Sequence, residues 1–412
     1  MIITHNIQVF LTKEQERIYY MTNGACRWAY NRFITINQEK YKNGEDYMTA
    51  YDFSKDITKM KKTPKYEWLN DVSQKAVKES IINADKAYRK FMKTGKGFPR
   101  FKSRKRNMND GYYLYPVNNK YKHNKMKLPV LGWVRIAENS YIVESHIVHA
   151  SIQRNSVGKF YVTLSTEVEE HEKEVLSNPI GIDVGIKNYV TIASYNSSFT
   201  VPSFLKEKKI KKYYEKIEKL QKIVSKKAEI NYFRLIRTWM DKHPKEELNE
   251  NLKNIMKGES YRSRAISRVQ LKINRLYKKI KDYRKNFINK LVWNLVKAKP
   301  EYIAIENLSV SEMISKSKPE HKESLSKYIQ DSGFYYFKTR LIEKCKMYSV
   351  EIHLADKYFA SSKICSCCGT KKKNLLLSDR TYVCDSCGVS IDRDLNAAIN
   401  LLEMKSKKYT II

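Results

Sequence analysis

Five of the seven cysteines fall within 23 residues near the end of the chain, and their spacing constrains the fold more than any other feature. Four of them form a C-x2-C-x15-C-x2-C array: Cys365, Cys368, Cys384 and Cys387. A glycine follows each pair and is expected to adopt the left-handed conformation, so that two thiolates can point at one ion. The array therefore predicts a zinc ribbon with one closed, structural zinc site, whereas scattered buried cysteines would not cluster in this way. Cys367 is left over, either as a competing ligand or as a packed thiol.

Two aspartates, Asp392 and Asp394, follow this array in the segment IDRDLNAAINLL. The apolar residues after Asp394 recur at helical spacing, so its carboxylate is expected at or just before the first turn of a helix. An ordinary aspartate N-cap is the structural alternative for Asp394.

Two further acids lie in segments that read as apolar strands. Asp183 sits inside GIDVGIKNYVTIAS, which predicts a strand, a tight turn and a paired return strand. Burying an acid there without a partner would cost roughly several kcal/mol of folding free energy, so a cation or metal is expected beside it. The alternative is an edge-strand aspartate that faces water. Glu306 follows the short strand YIAI, at the carboxyl end where open sheets commonly bind ligands.

Asp183, Glu306 and Asp394 are far apart in the sequence, so no local folding requirement explains them. Phosphodiester hydrolysis does require such a set, because carboxylate oxygens must hold two divalent cations about 4 Å apart. Magnesium prefers oxygen ligands and keeps several waters, so three protein carboxylates suffice. The trio predicts a site for two magnesium ions.

The charge of the chain indicates a polyanionic partner. Lys and Arg total 79 against 44 Asp and Glu, a net charge of +35, and 30 tyrosines can stack on bases or sugars. Nucleic acid is the favoured polyanion, and a membrane surface is the competing one. Neither an apolar run near 18 residues nor a signal peptide is found, which predicts a soluble, cytoplasmic protein without a membrane partner.

Two basic segments are candidates for nucleic-acid contact, although each has a solvated linker or solvated helix face as its alternative. The first is the loop GKGFPRFKSRKR, where cations alternate with phenylalanines, and the second is the amphipathic segment 264–297, where Asp282 is the lone acid between Arg262 and Lys299. The candidate contacts are Arg100, Lys102, Arg104, Lys272, Arg275, Lys278 and Lys279.

The periodicity along the chain predicts a multidomain α+β and α/β protein. An opening strand precedes a helix with a Thr12 and Gln15 capping box that stops near Asn43. A second helix runs from about Ser73 to Met92 and ends at Thr94-Gly95. Short alternating strands over 112–168 predict a small antiparallel barrel that the opening strand joins. Basic amphipathic helices are expected at about 205–227 and 264–297, with no role assigned to 231–260 between them.

Several motifs together resemble the TnpB family, transposon-encoded relatives of the type V CRISPR effectors. They are RWAYNRF, GFPRFKSR, LPVLGWVRI, GIDVGIKN, IAIENLSV and CSCCG with LSDRTYVCDSCGVSIDRDLNAAIN. The resemblance implies an RNA-guided DNA endonuclease with a RuvC-type, RNase H-like core, whose catalytic acids match Asp183, Glu306 and Asp394. It implies that the zinc ribbon is inserted in this core and helps position target DNA. The segment 231–260 departs from the family by being longer.

The family organisation implies a wedge barrel interrupted by a helical recognition domain. The implied parts are 1–11 as the first wedge strand, 12–106 as the helical domain, 107–176 as the wedge barrel, 177–359 as the nuclease core with a basic helical hairpin, 360–390 as the zinc ribbon and 391–412 as the end of the core. The implied partners are a noncoding guide RNA from the transposon and double-stranded target DNA beside a short adjacent motif, with a monomer favoured and a location at the nucleoid of a prokaryote.

Two other functions are open at this stage. A nuclease-inactive, RNA-guided repressor would bind DNA without cutting, but relatives of that kind usually lack one acid and all three are present here. A transposase that joins DNA ends itself is the other, and the chain has neither a tyrosine-recombinase nor a His-hydrophobe-His signature.

Overall fold

The computed structural model describes residues 2–103, 111–114, 121–122, 124–137, 147–169, 171–244, 246–307, 309, 312, 322–356, 359–376, 379–404 and 409–411. The chain divides into two compact units, residues 1–168 and 169–412. Within the described residues, every helix is too short or too polar to cross a lipid bilayer.

The first unit opens with a strand and a group of helices. Their bounds are β1 (Ile2–Phe10), α1 (Lys13–Lys42), α2 (Ala50–Met60), a 3-10 helix (Pro64–Asp71) and α3 (Gln74–Thr94). The predicted capping box is confirmed, because Thr12 N donates to Gln15 Oε1 at 3.0 Å and Gln15 N donates to Thr12 Oγ1 at 3.3 Å. α1 ends at Asn43 as predicted, and α3 ends at Gly95, whose φ of 65° is left-handed. α2 was not predicted.

An antiparallel sheet completes the first unit. Its other strands are β2 (Gly111–Leu114), β3 (Tyr121–Lys122), β4 (Lys125–Leu128), β5 (Gly132–Ile136), β6 (Ile147–Arg154) and β7 (Phe160–Glu167), in the order β2-β6-β7-β1-β5-β4-β3. β1 lies in the middle, where Val9 pairs with Phe160 on one side and Ile136 on the other. The prediction that the opening strand joins the later strands is therefore confirmed. The pairs among the described residues leave β2 and β3 at the two ends of the sheet, without the closure that a barrel requires.

The second unit is built on a mixed sheet. Its strands are β8 (Ile180–Val184), β9 (Asn188–Ser194), β10 (Ser197–Pro202), β11 (Tyr302–Ile305), β12 (Glu351–Ala355), β13 (Thr381–Val383), β14 (Ser390–Asp392) and β15 (Tyr409–Ile411). The main sheet has the order β10-β9-β8-β11-β12-β15, and β13 pairs with β14 separately. β8, β9 and β10 form the predicted antiparallel hairpin and a further strand. β11 is parallel to both β8 and β12, so β8 and β11 are central strands.

Helices pack around this sheet. Their bounds are α4 (Lys208–Lys242), α5 (Glu250–Ser260), α6 (Arg264–Lys297), α7 (Lys322–Ser332), α8 (Phe334–Met347), α9 (Arg393–Leu402) and the short 3-10 helices Phe204–Lys206 and Ser361–Lys363. α4 and α6 are the two predicted basic helices, and they share an apolar contact that includes Ile217 and Ile273. α4 continues well past the predicted end near Lys227, so the unassigned segment 231–260 contains the rest of α4 and α5.

Gly181 on β8 allows α9 to lie directly on the sheet. A Cβ atom at this position would fall 2.1 Å from the carbonyl oxygen of Ala398 and 2.6 Å from the backbone nitrogen of Leu402. Tyr302 on β11 donates a hydrogen bond from its hydroxyl to the carbonyl oxygen of Leu402 at 2.9 Å. The end of α9 is thus held against two central strands.

Candidate active site and cysteine cluster

Asp183 and Glu306 occupy neighbouring strands in matching positions. In the parallel pairing of β8 with β11, Ile182 lies opposite Ile305, and each acid is the next residue along its strand. Strand pairing therefore brings together two carboxylates that lie more than a hundred residues apart in the sequence. Glu306 follows the last residue of β11, as predicted.

Asp394 lies in the first turn of α9, but it is not the residue that caps the helix. Asp392 is the N-cap: its Oδ1 atom accepts hydrogen bonds from the backbone N–H groups of Asp394 at 2.9 Å and Leu395 at 3.1 Å. The alternative of Asp394 as an ordinary N-cap is therefore wrong. The carboxylate of Asp394 is not required for helix initiation.

The electrostatics relate all three acids. Burial raises the pKa of Asp183 well above its usual range, and the negative charges of Glu306 and Asp394 raise it further. Burial also raises the pKa of Glu306, while a hydrogen bond donated by the Ser361 hydroxyl to Glu306 Oε1 opposes that shift. The alternative of Asp183 as a water-facing edge residue is wrong, because β8 is a central strand and the Asp183 side chain is only partly exposed. Such a set of acids is stabilised by a bound cation.

Thr191 lies directly opposite Asp183 in the pairing of β8 with β9. Its side chain is 2% exposed, and within the described residues its hydroxyl has no hydrogen-bond partner. Opposed side chains on antiparallel strands lie on the same face with Cβ atoms about 5 Å apart. Thr191 is therefore a polar group beside Asp183. The sequence did not predict this neighbour, because identifying it requires the register of the β8–β9 hairpin.

Two asparagines that sequence reasoning missed connect α9 to the segment leading into the cysteine array. The Asn400 side-chain amide donates to the carbonyl oxygens of Ser361 at 2.8 Å and Ile364 at 2.6 Å. The Asn396 amide donates to the same Ile364 oxygen at 2.7 Å, and its Oδ1 accepts from the Ser366 backbone at 2.9 Å. Ser361 thereby links α9 to Glu306. The available signal was two asparagines four residues apart on the apolar side of a helix.

The four predicted cysteines converge. All four Sγ atoms lie within 4.8 Å of one another, with 3.6 Å between Cys365 and Cys387 and 3.6 Å between Cys368 and Cys384. Among the residues that the structure describes, these four cysteines are the only group of three or more metal-ligating side chains whose ligand atoms lie this close together. The cluster can hold a metal ion.

The two knuckles of this cluster have the same backbone structure. Gly369 donates to the carbonyl oxygen of Cys365 at 2.9 Å, and Gly388 donates to that of Cys384 at 3.1 Å. Both glycines are left-handed, with φ of 75° and 72°, as the sequence predicted. A side chain at either position would strain the turn that directs its pair of sulfur atoms.

The cysteines of the cluster differ from one another in pKa. A backbone hydrogen bond involving Val389 lowers the pKa of Cys387, but burial and the neighbouring thiols raise it to about 12 overall. The hydroxyl and backbone of Thr370 lower the pKa of Cys368 to about 6, which favours the thiolate form that binds metal. Burial raises the pKa values of Cys26 and Cys345 to about 12, so both remain thiols. Cys367 is exposed and lies outside the quartet, so the packed-thiol interpretation is wrong, and the competing-ligand interpretation stays a prediction.

The predicted cations of the first basic segment differ in their surroundings. Arg100 is exposed, and Arg104 lies outside the described residues. Lys102 is fixed to α1: its backbone N–H donates to Asn31 Oδ1 at 2.8 Å, and its ammonium lies 4.2 Å from the ring centre of Tyr30. The loop is therefore anchored at Lys102 rather than free along its whole length, and its contact with nucleic acid stays a prediction.

The predicted cations of α6 also divide. Lys272 and Arg275 are exposed. Lys278 forms an ion pair with Asp282 at 2.6 Å, and the Lys279 ammonium lies 5.8 Å from the ring centre of Tyr213 on α4. The pairing with Asp282 offsets the charge of Lys278, so within this set the exposed Lys272, Arg275 and Lys279 are the cations best presented to a polyanion. The contacts themselves stay a prediction.

Three family models match the chain. A model described as "Cas12f1-like, TNB domain" matches residues 334–401, a model described as "Probable transposase" matches residues 163–317, and a model described as "Helix-turn-helix domain" matches residues 1–46.

Among curated proteins, a "Putative RNA-guided DNA endonuclease" of Streptomyces pristinaespiralis is 26% identical over 396 residues, covering 95% of this chain and 86% of that protein. "Putative RNA-guided DNA endonuclease InsQ" of Escherichia coli K12 is 26% identical over 390 residues, with coverages of 92% and 86%. "TnpB-like protein L79" of Acanthamoeba polyphaga mimivirus is 28% identical over 233 residues, covering 56% of this chain and 38% of that protein.

Two solved structures align with the chain. The Cas12f1-sgRNA-target DNA complex aligns with a TM-score of 0.30 and 16% identity, covering 98% of this chain and 99% of that one. A CRISPR-Cas12f ternary complex aligns with a TM-score of 0.35 and 14% identity, covering 96% and 83%. At these scores neither alignment carries an argument about this chain.

Proposed function

We propose that this chain, which belongs to the TnpB family, is the RNA-guided DNA endonuclease of a transposon. A noncoding RNA derived from the transposon pairs with target DNA next to a short adjacent motif, and the protein hydrolyses the DNA at Asp183, Glu306 and Asp394. The observation that carries the proposal is the placement of these acids. Asp183 lies on β8, Glu306 directly follows the adjacent parallel strand, and Asp394 lies in the first turn of a helix packed on the same sheet, from where its charge raises the pKa of Asp183.

The sheet of the second unit suits the RNase H-like core that the family implies. β8, β9 and β10 run antiparallel, and β11 and β12 extend the sheet beside β8 in parallel. We assign the nuclease core to 177–359 and 391–412 and the zinc ribbon to 360–390. The remaining parts of the proposed organisation are a wedge from 1–11 and 107–176 and a helical recognition domain from 12–106.

Asp183, Glu306 and Asp394 would hold two magnesium ions, for which carboxylate oxygens are the preferred hard donors. When bound, such ions activate the attacking water and stabilise the leaving oxygen of the phosphodiester. The chain contributes position: Asp183 projects from β8, Glu306 directly follows the end of β11, and the Ser361 hydroxyl orients the Glu306 carboxylate.

The four clustered cysteines would hold one zinc ion. Four protein ligands leave no open position, which is the arrangement of a structural site. The four cysteines lie between Ser361 and Asp392 in the sequence. A metal bound to them would therefore hold in place both the serine that orients Glu306 and the aspartate that caps α9. The positively charged chain, at +35, suits a guide RNA and a DNA target held by their backbones.

The test uses the full chain purified with its copurified RNA, which is sequenced to define a matching DNA target. Asp183→Asn, Glu306→Gln and Asp394→Asn should each lower the cleavage rate by at least about 100-fold, because each removes a ligand charge. Target binding, measured by gel shift, should persist in all three. Cleavage that survives in every variant would refute the proposed site, and a wild-type protein that binds its target without cutting would favour the repressor.

A further inference from the structure

A cationic cavity of about 450 Å³ lies in the second unit. The cations that line it come from separate segments: Lys187 from the β8–β9 turn, Lys206 from the 3-10 helix before α4, Lys211 from the first turn of α4, and Arg380 from the segment before β13. Of the described residues that line the cavity, none is acidic. Four like charges around one space repel each other, and a bound anion relieves that repulsion.

A buried hydroxyl in the same cavity lacks a partner. Ser203 is 3% exposed, and its Oγ atom forms no hydrogen bond within the part of the chain that the structure describes. It is the N-cap residue of the 3-10 helix Phe204–Lys206, but its side chain forms no capping hydrogen bond. Buried hydroxyls are normally paired, because an unmet hydrogen bond costs free energy. The donor that the protein leaves unpaired is suited to an oxygen of an anionic ligand.

Two of the cavity's cations are connected through the chain to the acids of the proposed active site. Lys187 follows Asp183 by four residues in the β8–β9 hairpin, a path of at most about 13 Å at the rise of an extended strand. For the second cation, the carbonyl oxygen of Arg380 accepts a hydrogen bond at 2.8 Å from the backbone of Arg393, the residue before Asp394. The segments that carry two of the three acids therefore also carry two of the cavity's cations.

An exposed ring completes the cavity. Tyr328 on α7 lines it and is 54% exposed, which leaves a ring face for stacking. A base can stack on an aromatic side chain when it is unpaired, and such stacking tolerates any base sequence. A cavity that combines cations, one unpaired hydroxyl and one exposed ring can bind a backbone phosphate and its neighbouring base.

We propose that this cavity is a subsite for single-stranded DNA: Ser203, Lys187, Lys206, Lys211 and Arg380 bind one backbone phosphate, and the adjacent base stacks on Tyr328. The subsite rests on the proposed nuclease function, since it holds the substrate strand beside the scissile bond. It selects for an unpaired strand because the ring requires an exposed base face.

Photo-crosslinking tests the subsite without relying on cleavage. The full chain with its copurified RNA, carrying Asp183→Asn, is irradiated with a short single-stranded oligodeoxynucleotide substituted with 5-iodouracil. The crosslink should map to the peptide that contains Tyr328. The double variant Lys187→Gln with Lys211→Gln should lower the crosslink yield by about tenfold. The matched control, Lys212→Gln with Lys216→Gln, removes the same charge from α4 residues that do not line the cavity and should leave the yield unchanged.

Ser203→Ala separates a ligand-binding role from a structural one. Removing an unpaired buried hydroxyl should leave the Tm unchanged or raise it, while the crosslink yield falls; a lower Tm would mean that Ser203 has a structural role and would count against the subsite. Crosslinks that avoid Tyr328, or cavity variants that match the control, would overturn the proposal. Stronger crosslinking of an RNA of the same sequence would also overturn it, in favour of a guide RNA contact.

The two proposals fail separately. A Tyr328 crosslink in a protein whose wild type cuts no target would support the subsite and refute the nuclease. Guided cleavage by the wild type without that crosslink would refute the subsite alone.

Discussion

Asp392 and Asp394 differ by two positions in the sequence, yet they have different surroundings. The Asp392 carboxylate accepts two backbone hydrogen bonds from α9 and raises the pKa of Asp183 less than the Asp394 charge does. A cap stabilises the folded chain, while a like charge beside a buried acid destabilises it. The two residues can therefore be separated by measuring stability and activity together.

Asp392→Ala should lower the free energy of unfolding by about 0.5–2 kcal/mol, because two backbone N–H groups of α9 lose their acceptor. Asp394→Asn should abolish cleavage without lowering stability, because it relieves repulsion on Asp183. Urea unfolding of the metal-free proteins and guided DNA cleavage are the two measurements. The reverse pattern, an inactive Asp392 variant of normal stability beside an active but destabilised Asp394 variant, would exchange the two assignments.

The raised pKa of Asp183 predicts a pH dependence of stability in magnesium-free protein. An acid whose pKa is higher in the folded chain than its unfolded value near 3.9 favours folding while it is protonated, so that stability is lost as the pH rises through the folded pKa. Asp183→Asn removes this loss. The Tm difference between the variant and the wild type should therefore grow from about pH 4 upward in EDTA.

Magnesium should reverse part of that difference by stabilising the wild type more than Asp183→Asn, since binding to the folded state alone raises its stability. Thermal unfolding across the pH range, with and without magnesium, measures both effects. A Tm difference that stays constant with pH would contradict the assignment of a buried, charge-coupled Asp183.

At the scale of elements, α9 is where the site is assembled. The helix contacts β8 through Gly181, reaches the Ser361–Ile364 segment through Asn396 and Asn400, and carries Asp394 in its first turn. A shift of this helix would move one acid relative to the other two. Its packing on the sheet is therefore as important for the proposed chemistry as the acids themselves.

Gly181→Ala should destabilise the second unit by about 3 kcal/mol, because its Cβ would overlap backbone atoms of α9 that cannot move independently. Gly258→Ala is the matched control: it lies inside α5, its Cβ would meet nothing within 4 Å, and it should stabilise by about 0.5–1 kcal/mol. Urea unfolding measures both. Equal effects of the two substitutions would contradict the close approach of α9 to β8.

At the scale of the whole molecule, the chain consists of two compact units that carry different chemistry. The first, 1–168, contains a helical group and an antiparallel sheet in a common apolar core. The second, 169–412, contains the acids, the cysteine cluster and the cationic cavity. The cysteine cluster is small, with few buried apolar residues of its own, so its stability is expected to depend on a metal.

Metal analysis of the purified chain should find about one zinc ion per molecule. Cys384→Ser should lose it and expose residues 361–392 to proteolysis, whereas Cys367→Ser, the neighbouring control outside the quartet, should retain both zinc and protection. Because Ser361 and Asp392 lie at the two ends of this segment, cleavage activity should fall with the metal. A metal-free wild type that is fully active would contradict the structural role of zinc.

Local sequence features were sufficient for much of the fold. The cysteine spacing, the Thr12 and Gln15 capping box, the helix end at Gly95 and the β8–β9 hairpin were all predicted, because each depends on residues that are close along the chain. Charge and composition likewise indicated a polyanionic partner without any knowledge of the fold.

Tertiary structure decided how distant segments meet. The register of β8 with β11 sets Asp183 beside Glu306, and the packing of α9 adds Asp394 and leaves the cap to Asp392. The same packing creates the Ser361 link and the cationic cavity. The Ser361 link and the cavity could not be derived from the sequence, because strand register and helix docking depend on contacts across the whole unit. A register shift of one residue would move a strand's side chains to the opposite face of the sheet.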